Sequence, residues 1–524
     1  MNMLNYKRVS LLIICLGFIQ NVLANNIVIS NISKASVNTM QNYAMIRFDI
    51  SWENSWRDVE NYDAAWVFIK YRVQDFTGEW SHATLNYIDG TNDGHIPALG
   101  AAVSTTTDGK GVFIYRNING SGNINFSGLQ LRWNYGIDGL NDNDLVEISV
   151  SAIEMVYVPQ GSFWLGDGSV GTLQGQFESG ITGTPFQVNN ENAITLGGGG
   201  IASLGNNNRS GMANNGLFSI SPVSIDDFDD VTTQALPAAF PKGFNAFYCM
   251  KYEITQAQYV DFLNKLSAVQ FATRYDPLNY SSTNGGHTAT RYNITGTHPN
   301  ISTATPDLPA VYTEWYDAAA YADWAALRPM TELEYEKACR GPLAPVVGEF
   351  AWGNASLNTN FYFPINNPGL PNEAIGAGYN TTAGNAWYDG TRAFDAITRV
   401  GIFAAHPSNT GRITSGATYW GIMEMSGHCW ERTISVGRPE SRVFAGTHGD
   451  GLLNANGNAT NTDWPGFTPG QGVNNAIGCG YRGGAFNFPN PIQPNLRVSS
   501  RVVATAFYNT RYYDDAVRFV RTAN

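Results

Sequence analysis

The chain has 524 residues, and its 43 acidic against 31 basic side chains give a formal charge of −12. That balance excludes an ordinary nucleic-acid binder, because a phosphate backbone needs a basic face. Charged residues make up only 14% while aromatics reach 13%, a composition of large cores and structured loops that excludes intrinsic disorder.

Lys7 and Arg8 precede an apolar run from Leu11 to Ile19, and Val22-Leu23-Ala24 offers a small-residue cleavage site. This predicts a signal peptide over residues 1–24 and a mature start near Asn25. Cys15 does not read as a lipidation site, since Ile14 stands where a small residue is needed. No later apolar stretch reaches the roughly 20 residues of a membrane helix. The expected product is therefore exported, to the periplasm, the outer membrane or the exterior, with no transmembrane segment. Cys249, Cys339, Cys429 and Cys479 remain after cleavage, as buried thiols or in one or two disulfides whose pairing stays open. Their wide spacing and the scarcity of histidine argue against zinc.

Residues 25–153 read as strand after strand. Ile46, Phe48, Ile50 and Trp52 alternate with Arg47, Asp49 and Ser51, the period-two signature of a strand with one buried face. Further runs at 65–73, 112–115, 129–135 and 146–150 predict an antiparallel β-sandwich. Asp138, Asp142 and Asp144 crowd one turn, but their spacing fits no full calcium loop and reads as a solvated turn.

A second domain, 154–521, opens on a strand and breaks into a Gly- and Asn-rich insertion over 167–240, predicted as a long loop. Thr255 with Gln258 makes a capping box before Tyr259, Phe262, Leu263 and Leu266, which share one helical face. Trp315 to Trp324 predicts an Ala-rich helix, and Thr331 with Glu334 caps another that ends at Arg340-Gly341. Glu332, Glu334 and Glu336 read as its solvated face rather than as a glycosidase pair. Beyond Gly341, periodicity gives way to Gly, Asn, Pro and aromatics, the texture of irregular loops that carry function. Neither a nucleophile elbow nor a P-loop occurs.

Several blocks fall in a fixed order: Met155 to Phe163, Lys251-Tyr252-Glu253-Ile254-Thr255, Leu308-Pro309-Ala310-Val311, Trp315 to Tyr321, Arg328 to Tyr335, Ala351-Trp352-Gly353-Asn354, Gly421 to Glu431, Arg482-Gly483-Gly484, and Val517 to Arg521. Together they resemble the formylglycine-generating enzyme (sulfatase-modifying factor) family over residues 155–521. The resemblance implies an α+β fold, a C-type-lectin-related domain preceded by the β-sandwich. It also implies a copper-dependent oxidase that converts a substrate cysteine to formylglycine with two cysteines following the Arg-Gly-Gly block. Aligned without a gap between Arg482 and Arg497, those two positions are Phe488 and Gln493, and the serine after the glycines is Ala485. Neither Phe nor Gln supplies the soft thiolate that Cu(I) takes, so copper is not expected.

The same resemblance implies calcium at the loop 424–431, held by Glu424, the carbonyls of Gly427 and Cys429, and Glu431, with Glu in place of the usual Asn or Asp and Arg432 in place of an aromatic. A second calcium set would draw on Asn360 and Phe361, but its expected Asp is Arg392, which leaves Asp389 nearby. Relatives with non-haem iron share this domain, yet His406, His428 and His448 show no converging spacing. The final segment offers Phe488, Gln493, Tyr508, Asn509, Tyr512 and Tyr513 for ligand binding, with Tyr508, Tyr512 and Tyr513 as exposed rings and Phe486 and Phe519 as core. The expected function is a non-catalytic exported protein that binds a glycan or an envelope-protein ligand or assists envelope assembly. The alternatives are an oxidase with a rearranged metal site using Cys429 or Cys479, and a diversified lectin-like binder.

Overall fold

A computed structural model of the protein describes residues 27–73, 79–169, 171, 173–209, 212, 228–275, 291–389, 391–487 and 494–523. The leader and Phe488 and Gln493 lie outside the described residues.

The long strand Asp63–Val73 is buried over nine consecutive residues, as a strand covered on both faces must be. It pairs antiparallel with Val146–Val158 from Val73↔Val146 to Asp63↔Val156, and on its other edge with Val112–Arg116. Val146–Val158 then continues past that partner to pair with Phe247–Met250, from Met155↔Met250 to Val158↔Phe247. Phe519–Thr522 and Arg328–Pro329 come next on the outer side, and Ala101–Thr105 closes the opposite edge of this eight-stranded sheet. The expected domain boundary at 153/154 thus falls inside one strand, and both halves of the chain share one sheet.

Alternation divides the sheet's side chains between two cores. Ala65, Val67 and Ile69 face the three-stranded sheet of Val28–Asn38, Tyr43–Arg57 and Gly120–Trp133, meeting Ile46, Phe48, Ile50 and Trp52. Arg47 between them is exposed, as the period-two reading requires. Ala64, Trp66 and Phe68 face the other way, into a core shared with Phe262, Leu263, Tyr321 and Trp324 of the helices Gln256–Asn264 and Trp315–Trp324. The result is a mixed α/β fold with few helices and many antiparallel strands.

The capping boxes of Thr255 with Gln258 and of Thr331 with Glu334 both form. The insertion 167–240 is not a plain loop: Gln176–Ser179, Leu204–Asn207, Ile194–Gly197 and Thr233–Leu236 make a four-stranded sheet around buried Leu196 and Leu204. Glycine permits the close approach, since a Cβ on Gly205 would stand 1.9 Å from the Gly180 carbonyl oxygen. Among the described residues no helix is long and apolar enough to cross a membrane.

Candidate functional site

The loop before strand Trp430–Ile434 is bent by two non-glycine residues in left-handed conformation, Glu424 (φ 57°) and His428 (φ 71°). Each such residue costs on the order of 1–3 kcal/mol, which the surrounding contacts must offset. Gly427 (φ 89°) lies between them, where a Cβ would stand 2.9 Å from the Trp387 carbonyl oxygen. The bend turns both side chains inward, and each finds a partner. The Gly401 N–H donates to Glu424 Oε1 at 2.8 Å, while Glu424 Oε2 is buried with no hydrogen-bond partner. His428 Nδ1 lies 3.0 Å from Glu253 Oε1, while Nε2 lies 3.1 Å from the Thr398 carbonyl oxygen and 3.3 Å from the Thr398 N–H. Burial alone would lower the imidazole's pKa; the Glu253 carboxylate outweighs it, and the net shift is upward.

Arg518 lies beneath this loop. Its Nε and Nη2 donate to Glu431 Oε2 and Oε1 at 2.9 and 2.8 Å, a bidentate fork, and its remaining N–H groups reach the Met250 and Met423 carbonyls. Calcium takes six to eight oxygen ligands. Here a guanidinium holds both Glu431 oxygens and an amide holds one of Glu424, so the carboxylates that the resemblance assigns to calcium offer a single free oxygen. As folded, the set does not fit calcium. In the second set, Arg392 pairs with both Asp389 and Asp395, so the nearest carboxylate is again taken by a guanidinium.

Sequence reasoning missed one grouping. Glu253, His428 and Cys429 bring a carboxylate oxygen, an imidazole nitrogen and a thiol within 4.8 Å of one another, all buried. The Cys429 thiol is a poor thiolate there: burial raises its pKa well above the ordinary value, and Glu253, Asp514 and Glu431 add to the rise. His406 instead stacks on Tyr379 with ring centroids 3.8 Å apart, and His448 Nε2 accepts from the Thr522 N–H, so the three histidines do not converge. Cys249, Cys339, Cys429 and Cys479 are all free and buried. Burial pushes the Cys249 thiol up to about 12.

The Arg-Gly-Gly block owes its position to the helix Glu332–Arg340. Arg482 donates to Glu332 Oε2 at 3.0 Å and to Glu336 Oε1 at 2.8 Å, and Arg501 forks onto Glu332 at 2.7 and 2.9 Å. Arg328 forks onto Glu334 at 2.9 and 2.6 Å. The expected solvated face is therefore overturned: all three glutamates are buried and each meets a guanidinium. Glu332 and Glu336, four residues apart, share the face that meets Arg482, while Glu334 between them points elsewhere and holds Arg328.

Of the expected exposed rings, Tyr508 is corrected. It is only 4% exposed and packs with Trp430, Tyr481, Val503 and Ala506, a small core under the Gly-Gly turn that also holds Ala485. Tyr512 and Tyr513 are half-buried and Asn509 is exposed. Tyr512 sits edge-on to Tyr508, and the Asn487 amide donates to the Tyr513 hydroxyl at 2.7 Å. Phe486 and Phe519 are core, as expected.

The fold and the clamped loops define an α/β domain in which short strands present long, polar-anchored loops. The family model for the sulfatase-modifying factor enzyme 1-like domain matches residues 185–482, more than half of the chain, and the protein belongs to that family. It is 27% identical over 164 residues to a hercynine oxygenase of Mycolicibacterium smegmatis, covering 31% of this chain and 24% of that protein. A formylglycine-generating enzyme of Bos taurus is 36% identical over 100 residues, 16% of this chain and 26% of that one. One from Streptomyces coelicolor is 48% identical over 52 residues, 10% and 16% of the two chains. The chain thus spans about a quarter or less of the length of these relatives.

Proposed function

We propose that this protein is an exported, non-catalytic member of its family that binds a glycan or an envelope-protein ligand or assists assembly in the cell envelope. The observation that carries the reading is the state of its thiols. A copper oxidase needs an accessible thiolate pair, while the four cysteines within the described residues are buried among strands and helices and have raised pKa values. The resemblance supports it: aligned without a gap between Arg482 and Arg497, it implies Phe488 and Gln493 at the two positions that would hold copper. In this reading residues 25–153 act as a β-sandwich and 154–521 as a C-type-lectin-related core whose last loops carry Asn509, Tyr512 and Tyr513 to the ligand.

Two measurements test it. A sulfatase-type Cys-Xaa-Pro-Xaa-Arg peptide, incubated with the protein, Cu(I), oxygen and a thiol reductant, is expected to keep its thiol by mass spectrometry. Conversion to the aldehyde would overturn the proposal. On a glycan array and on immobilised envelope extract, the double variant Tyr512→Ala, Tyr513→Ala is expected to lose attachment at least tenfold while its melting temperature stays near that of the unaltered protein. Full attachment by that variant would remove the final segment from the binding surface.

The buried group of Glu253, His428 and Cys429 favours a second reading, oxidation at a rearranged metal site. It requires that any conversion disappear in the variant Cys429→Ser and survive in Cys479→Ser.

A further inference from the structure

Three charged side chains meet beside the site just described, Lys251 lying two residues before Glu253. Asp63 opens the strand Asp63–Val73, Glu154 lies on Val146–Val158, and Lys251 comes directly after Phe247–Met250. Lys251 Nζ is 3.1 Å from Glu154 Oε2 and 3.4 Å from Asp63 Oδ2, and none of the three side chains is more than 2% exposed. The rings of Trp56 and Tyr252 cover the nitrogen with centroids at 5.1 and 5.5 Å. Water is thus kept from a cation with two carboxylates, an arrangement whose charges balance when one carboxyl keeps its proton. Burial raises the Glu154 pKa, against the pull of Lys251, and its Oε1 is buried with no hydrogen-bond partner. Asp63 is held in one orientation: Oδ1 accepts from the Ser55 hydroxyl at 2.7 Å and the Trp56 N–H at 3.1 Å, and Oδ2 accepts from the Trp52 indole N–H at 3.0 Å.

We propose that Lys251 and Asp63 condense into an intramolecular isopeptide bond, with Glu154 as the proton shuttle. Against the effect of burial, Tyr252, Glu154 and Asp63 hold Lys251 charged, so the reaction begins only when the ammonium passes one proton to Asp63 Oδ2, which leaves the total charge unchanged. The freed lone pair on Nζ attacks Asp63 Cγ, and the carbonyl electrons move onto Oδ1. There the Ser55 hydroxyl and the Trp56 N–H stabilise the oxyanion, as fixed donors do where charge develops. Glu154 takes a proton from Nζ through Oε2, 3.1 Å away, and returns a proton to the Oδ2 hydroxyl. That oxygen leaves as water, the Oδ1 electrons return to close the carbonyl, and one N–H remains on the new amide. One C–N bond forms, one C–O bond breaks, and no oxidant or reductant takes part. The bond would bridge two strands across the one between them, and so fasten the N-terminal strands to the family domain covalently.

The test is mass spectrometry of the purified full-length protein, denatured and digested. The expected result is a linked pair of peptides joined through Lys251 and Asp63, lighter than their sum by one water, about 18 Da, with no unlinked peptide carrying free Lys251. Glu154→Gln is expected to yield the two peptides unlinked while circular dichroism shows the sheet retained. If folded unaltered protein gives the free peptides at full mass, the proposal is overturned, and a water deficit that maps to other residues overturns it equally. The unaltered protein alone decides the matter even where the variant does not fold.

Discussion

Replacing Glu332 with alanine is expected to lower the unfolding free energy by about 3–5 kcal/mol, the cost of removing one partner from a buried ion cluster. Its carboxylate takes both nitrogens of the Arg501 fork, Nη1 of Arg482 and the Val436 N–H at 2.7 Å. Alanine would leave two guanidiniums in the interior, where water cannot reach them and only Glu336 remains to answer Arg482. The loss should also be felt at the Gly483–Gly484 turn, because Arg482 fixes that turn to the helix and its Nη2 reaches the Val498 carbonyl at 2.6 Å. Urea denaturation monitored by tryptophan fluorescence measures the loss as a lower midpoint at unchanged slope. A change below about 1 kcal/mol, the range of exposed pairs, would mean that the cluster is hydrated and that the helix face is solvated after all.

The same helix shows how far the sequence can be read. Its start is legible because a capping box is local: Thr331 and Glu334 lie three residues apart and need nothing else. The strand Tyr43–Arg57 is legible for the same reason, since one buried face imposes alternation. Burial of Glu332 and Glu336 is not legible, because their partners Arg482 and Arg501 stand about 150 residues or more away and only the folded chain brings them near, whereas Glu334 meets Arg328 within the same segment. The pairing of Arg518 with Glu431 and of His428 with Glu253 is equally non-local. Composition misplaces Tyr508, because an aromatic among Asn and Thr has the make-up of a binding loop, while burial is decided by Trp430 and Tyr481 from other segments. A break at 153/154 rests on a change in texture, whereas hydrogen bonding runs unbroken along Val146–Val158 and takes no account of the insertion and loops beyond it.

Stability is expected to fall as pH rises from 5 to 8, with Glu424 responsible for a loss on the order of 4 kcal/mol over that interval. Burial, with the neighbouring charge of Glu253, raises the Glu424 carboxyl from its ordinary 4.5 to about 8. The unfolded chain has released this proton above pH 4.5 while the folded chain still holds it, so the contribution is fully present below the unfolded value and is lost as pH climbs through the folded one. His428 acts in the same direction at the upper end: its raised pKa makes its contribution complete below the ordinary imidazole value and lost as pH passes the folded value. Glu253 is shifted the other way, lowered by its partners His428 and Arg518 against the penalty of burial, so its contribution is present above its unfolded value and lost as pH falls through the folded one. The optimum should therefore lie near pH 5–6, with the acid side set by Glu253 and the alkaline side by Glu424 and His428 together with Asp515, Glu431 and Asp323, whose carboxyls burial raises to about 8, 7 and 7. Glu424→Gln keeps an oxygen for the Gly401 N–H but no longer titrates. In urea melts at pH 5 and pH 8 with a calcium chelator present, the unaltered protein should lose several kcal/mol more than the variant between the two. Equal losses in both proteins would show that Glu424 is already ionised at pH 5, and its buried Oε2 would then have to be meeting a cation or water that answers its charge.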